Sequence, residues 1–133
     1  MMMYLVIFLL SLLHPSGDHA LTVVLKSDQV LTGTAFIAIY DSEESFLTVE
    51  QAVYTTTFNA RDGKIEVQLP KGNYAISTYV DENGNQKLDK NWVGYPSEPF
   101  GFSRNAAIMM GPPSYRDASI DLRSDMVCEI TLR

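Results

Sequence analysis

Apolar and polar positions along this chain alternate in short runs, each closed by turn-forming residues. The clearest run is 64–69 (KIEVQL), where Ile65, Val67 and Leu69 point one way and Lys64, Glu66 and Gln68 the other. A period of two is that of a half-buried strand. Residues 73–80 (NYAISTYV) repeat it, with Tyr74, Ile76, Thr78 and Val80 on one face. The runs 21–26 (LTVVLK) and 52–58 (AVYTTTF) are rich in β-branched residues and read as strands. Residues 34–40 (TAFIAIY) are apolar on both faces, which suits a strand covered on both sides. Two more strands, 119–122 and 126–132, close the chain around a turn at 123–125. Asp62-Gly63 and Pro70-Lys71-Gly72-Asn73 supply turn chemistry between strands. Asp41 or Ser42 is placed to cap a short helical turn through Glu43 and Glu44, leaving Phe46, Leu47 and Val49 for packing. About seven short strands without a long amphipathic helix predict an all-β fold. The architecture expected is an antiparallel, immunoglobulin-like β-sandwich of about seven strands, with one long ordered loop.

That loop is residues 81–118, where the strand rhythm stops and Pro96, Pro99, Pro112 and Pro113 gather with the only tryptophan, Trp92. A segment this long without regular structure is functional or disordered. Its apolar content (Trp92, Val93, Tyr95, Phe100, Phe102, Ile108, Tyr115) argues for an ordered flap.

The first residues follow a different logic. Residues 1–13 (MMMYLVIFLLSLL) carry no charge and are too few to span a bilayer, which takes about 20 residues as a helix. With the breaker cluster His14-Pro15-Ser16-Gly17 behind them, they read as a secretory signal over 1–20, cut between Gly17 and Ala20. The remaining 21–133 form a single β-sandwich domain, periplasmic or extracellular, with no transmembrane anchor. Removal of the leader takes His14, and with a cut after Ala20 also His19, so imidazole chemistry leaves with it. Cys128 shares a face with Ile130 and Leu132 and reads as a buried, inert thiol.

Composition narrows the partners. The chain has 133 residues, 46% apolar and 20% charged, enough for one packed domain. Ten Lys and Arg face sixteen Asp and Glu, for a net charge of −6, which argues against nucleic acid as a partner. An envelope protein or a saccharide is the partner class left open.

Within the loop, Asp81, Asn83 and Asn85 place oxygen side chains at alternate positions, followed by the carbonyl of Lys87 and the carboxylate of Asp89. This matches positions one, three, five, seven and nine of an EF-hand-type loop and makes calcium the candidate cofactor. Gln86 replaces the usual glycine and Trp92 the bidentate acid, so binding would be weak, with Glu98 able to fold back as a substitute. The competing reading is an Asx-rich turn whose side chains bond their own backbone. Further on, Trp92, Tyr95, Glu98, Phe102 and Arg104 form a candidate ligand surface; alternatively the rings seal one end of the sandwich. Ser103 lies outside any G-x-S-x-G elbow.

Four strings in order, PKGNYA (70–75), DENGNQKLD (81–89), GYPSEPFGFSRNA (94–106) and GPPSYRDA (111–118), resemble the bacterial family called domain of unknown function 2141. The resemblance spans the chain from about Leu21 to Arg133 and implies a small exported β-sandwich protein with no catalytic residue to carry over. The strand-PKGNY-strand signature also resembles transthyretin-like sandwiches, a likeness of fold alone. The function expected is an exported, non-enzymatic binding or structural module of the bacterial cell envelope with a candidate calcium loop. Two alternatives stand beside it. One is a small envelope enzyme using Asp81, Asp89 or Glu98 on a saccharide. The other is an interaction domain that exchanges a strand with a partner through an open first or last strand.

Overall fold

The computed structural model describes residues 17–84 and 98–133. Among these, eight strands form two sheets. The first sheet contains β1 (Asp18–Lys26), β4 (Lys64–Pro70) and β8 (Met126–Thr131), in the order β4-β1-β8. The second contains β2 (Thr34–Tyr40), β3 (Tyr54–Asn59), β5 (Gly72–Asp81) and β6 (Phe100–Phe102), in the order β3-β2-β5-β6. A short β7 (Ile120–Leu122) pairs with the start of β5, and a single helical turn, α1 (Tyr115–Ala118), precedes it.

The period-two faces converge on one core between the sheets. Leu21, Val23 and Leu25 of β1, Ile37 and Ile39 of β2, Val67 and Leu69 of β4, Ile76 and Val80 of β5, and Cys128 and Ile130 of β8 are buried there. Each such aliphatic side chain contributes about 1.5–3 kcal/mol by leaving water. The all-β sandwich read from the sequence is therefore the observed fold, with three differences.

First, β1 pairs with β8 in parallel, Leu21 opposite Met126 through Lys26 opposite Thr131, so the sandwich is not wholly antiparallel. A period of two specifies which face is buried and says nothing of strand direction. Nearly the whole chain separates these two strands, so no short connection forces them antiparallel. Second, the 81–118 segment contains a strand of its own, β6, only three residues long and centred on Gly101. Third, β1 begins at Asp18 rather than Leu21. Asp18, His19 and Ala20 pair with Pro70, Leu69 and Gln68, and the Ala20 N–H donates to Asp125 Oδ1 at 2.8 Å.

β6 ties the two sheets together along one side. Phe100 and Arg133 exchange main-chain hydrogen bonds at 3.0 and 3.3 Å, and the Thr131 N–H donates to Asn105 Oδ1 at 2.8 Å. Gly101 faces β8 at the closest point; a Cβ there would sit 2.6 Å from Ile130 Cγ2. On the opposite side, a 3-10 turn at Ala60–Asp62 carries the chain from β3 to β4. It is capped by Asn59, which accepts the Arg61 N–H, and ended by Gly63 at φ 70°. Among the described residues, no helix is long and apolar enough to cross a membrane.

Candidate functional site

Two corners of the second sheet gather chemistry, one at each end of the antiparallel β2–β5 pair. Thr34 faces Asp81 at one end and Tyr40 faces Ala75 at the other, roughly 20 Å away at about 3.3 Å per residue.

The first corner is the base of the loop that follows β5. Asp81 is 3% exposed and its Oδ1 accepts the Gly84 N–H at 3.0 Å. Glu98 is 6% exposed and its Oε2 accepts the Glu82 N–H at 2.7 Å. Two buried carboxylates thus clasp main-chain amides where the loop leaves and re-enters the sandwich. Glu98 does fold back, as the sequence allows, and Asp81 makes the local backbone bond of an Asx-type turn. Gly33 supports the corner from β2's entrance. Its φ is 97°, and a Cβ there would lie 2.2 Å from the Asp81 carbonyl oxygen. Beside it, Phe36 and Tyr79 stack with centroids 4.8 Å apart and planes 4° from parallel. Burial, then the charges of Asp81 and Glu98, hold the Tyr79 phenol above its usual pKa.

Of the calcium-loop residues, Asp81 and Asn83 are described; Asn85, Lys87 and Asp89 lie outside the described residues, as do Trp92 and Tyr95. Among the described residues, no group of three or more His, Cys, Asp or Glu side chains converges to hold a metal. Of the candidate ligand surface, Glu98, Phe102 and Arg104 are among the described residues. Phe102 packs edge-on against Phe100 and Phe46, with centroids 6.3 and 6.5 Å away. Arg104 is exposed, in the left-handed region at φ 58° beside β8.

Phe46 anchors the face of the second sheet that points away from the core. It meets Tyr40, Tyr115 and Phe102 edge-on at 5.5, 6.0 and 6.5 Å. The turn that delivers it is held by Ser42, whose hydroxyl accepts the Ser45 N–H at 3.2 Å. Ser42 thus caps a turn, as its spacing predicts, although no regular helix follows. The two-sided apolarity of 34–40 has its explanation here: Ile37 and Ile39 enter the core while Phe36 and Tyr40 face this aromatic layer.

The second corner holds an open depression of about 470 Å³, lined by Asp41, Lys71, Asn73, Tyr74, Tyr115 and Ser119. Sequence reasoning took Lys71 and Asn73 for turn residues and Tyr115 for part of the apolar content of the flap. Their convergence depends on β7 and α1 returning to the start of β5, which no local pattern announces. Tyr74 donates its hydroxyl to the Pro70 carbonyl at 2.6 Å, and Tyr115 to the Asn73 carbonyl at 3.0 Å. Gly72 leaves room for the Tyr74 ring, since a Cβ would come within 3.3 Å of its hydroxyl.

Burial pushes the phenols of Tyr40 and Tyr74 upward, aided at Tyr74 by the charges of Asp41 and Asp18. It pushes the Cys128 thiol upward too, against a smaller opposing effect from the Arg104 backbone. The unfolded chain then loses these protons before the folded one does. Stability is unaffected below the ordinary thiol and phenol values, about 8.5 and 10, and falls as pH climbs past them. Urea midpoints measured between about pH 7 and pH 10.5 should therefore decline only in the alkaline part of that range. Cys128 should react with a thiol reagent quickly only after denaturation, in keeping with an inert core position.

A small all-β sandwich with a carboxylate-clasped loop is the class these observations define. The chain belongs to a bacterial family described as "Uncharacterized protein conserved in bacteria (DUF2141)", whose model matches residues 23–130. No curated protein and no solved structure matches it.

Proposed function

We propose that this chain is an exported, non-enzymatic β-sandwich module of the bacterial cell envelope, acting by binding or by structural support, with calcium as the ligand of the 81–89 loop. The observation that carries the reading is the return of Glu98 to the Glu82 main chain beside Asp81. It brings a carboxylate to the base of a loop whose own twelfth position lacks one. Asp81 and Asn83, with Asn85, the Lys87 carbonyl and Asp89, supply the other oxygens. Against the saccharide-hydrolase alternative, Asp81 and Glu98 are both engaged by main-chain amides rather than set as a free acid–base pair across a cleft. Against strand exchange through the chain ends, β1 is central in its sheet and the C-terminal end of β8 is tied down, Thr131 to Asn105 and the following Arg133 to Phe100. Export is supported by the uncharged, apolar 1–13 segment followed by the breaker cluster at 14–17.

Calcium should raise the melting temperature of chelator-treated protein, because a ligand that binds only the folded state stabilises it by mass action. Glu98→Ala should cost about 1–2 kcal/mol by removing the charged acceptor of the Glu82 N–H, and should shrink the calcium-induced shift. An unchanged melting curve at saturating calcium would remove the metal from this proposal. N-terminal sequencing of the protein recovered from the cell envelope tests export; an intact Met1 on a cytosolic species would refute it.

A further inference from the structure

We propose that the depression between the 70–73 turn and α1 binds a neutral saccharide unit. The inference rests on the binding-module reading above and gives it a ligand class and a location away from the calcium loop. Of the two tyrosines at the depression, Tyr115 is half-buried and provides a fixed wall, while Tyr74 is buried with the core. The hydroxyls of Tyr74 and Tyr115 are committed to the carbonyls of Pro70 and Asn73, so both rings are tied to the same turn that carries Lys71 and Asn73. The half-buried Tyr115 ring, held in this way, offers the apolar surface against which the C–H face of a pyranose packs.

Four polar side chains at the same depression are uncommitted. Among the described residues, the carboxylate of Asp41, the ammonium of Lys71, the amide of Asn73 and the hydroxyl of Ser119 form no hydrogen bond or ion pair. The first only accepts, the second only donates, and the other two do both. That mixture suits neighbouring hydroxyl groups, each of which donates and accepts. The lining carries one carboxylate and one ammonium, with the Asp18 charge also felt at Tyr74, so an anion meets carboxylates and a cation meets Lys71, while a neutral polyol meets neither penalty. The volume of about 470 Å³ falls within the range of small-molecule sites, about 300–1,000 Å³. The openness of the depression makes the binding weak and reversible.

The test is an amide-shift NMR titration of the protein with the β-linked disaccharide of N-acetylglucosamine, with maltotriose, with alanine and with inorganic phosphate. At least one sugar should shift resonances of residues 41, 71–74 and 115–119 and leave the rest unmoved. Tyr115→Ala should weaken that binding by roughly tenfold, since a truncated aromatic anchor is the costliest contact to lose. Tyr115→Phe, which keeps the ring, should retain most of it. Asp41→Asn, an exposed change that leaves the fold alone, should weaken it severalfold. The proposal is overturned if neither sugar moves these amides, if alanine or phosphate moves them more than the sugars do, or if Tyr115→Ala and Asp41→Asn bind as the parent does. A calcium-induced melting shift that persists alongside such a result would overturn the saccharide assignment only and leave the binding module intact.

Discussion

Gly33→Ala should lower the free energy of unfolding by about 2–4 kcal/mol. Two effects add. The φ of 97° lies where side chains are disfavoured, costing roughly 1–2 kcal/mol by itself. The new Cβ would also sit 2.2 Å from the Asp81 carbonyl oxygen and 3.1 Å from Glu82 Cα, both main-chain atoms that cannot rotate away. Relief requires β2's entrance to part from the end of β5, at the clasp that Asp81 and Glu98 make. Gly63→Ala is the control: φ is 70° and nothing lies within 4 Å, so only the backbone strain remains. Urea denaturation with unchanged m-values should rank Gly33→Ala well below Gly63→Ala in stability. Equal midpoints would mean that contact with Asp81 contributes nothing.

Ser103→Ala should cost a similar amount, about 2–4 kcal/mol, although it removes a single oxygen. Ser103 is fully buried. Its hydroxyl accepts the Ile76 N–H at 2.9 Å and donates to the Ala118 carbonyl. One hydroxyl therefore joins the middle of β5, the turn after β6 and the end of α1. Alanine leaves a buried donor and a buried acceptor unpaired, each costing about 1–3 kcal/mol, less what relaxation recovers. For a domain of this size, that corresponds to a drop in Tm of roughly 8–16 °C. Because α1 carries Tyr115, hydrogen exchange should rise at residues 115–118 more than in β1 or β4. A uniform loss of protection would show that Ser103 supports the whole core and not the helix that walls the depression.

Most of the scaffold could be read residue by residue. The run 34–40 is β2 to the residue, and the alternations at 64–69 and 73–80 bury the side chains they predict. Asp62-Gly63 lies at the β3–β4 connection, and Cys128 is buried with Ile130. The loop base was legible in part: Asp81 and Glu98 carry the oxygens singled out for it, and Glu98 does return. Phe102 and Arg104 share a sequence string but diverge in space, Phe102 to the aromatic layer under Phe46 and Arg104 to the side of β8. Strand alternation alone would put residues two apart on one face, but the 3-10 turn at Ser103–Asn105, with Arg104 at φ 58°, redirects the chain between them.

By itself, the sequence determined what depends on near neighbours: which residues alternate, where glycine, proline and asparagine turn the chain, and so the two-layered, all-β character of the domain. Only the tertiary structure decided what depends on residues far apart. The parallel pairing of β1 with β8, the hidden strand around Gly101, the three-way bond of Ser103 and the meeting of Asp41, Lys71 and Tyr115 all belong to that class. The physical reason is that periodicity and turn chemistry act through bonds a few residues long. Strand direction and side-chain convergence are instead selected by packing, which compares every part of the chain with every other at once.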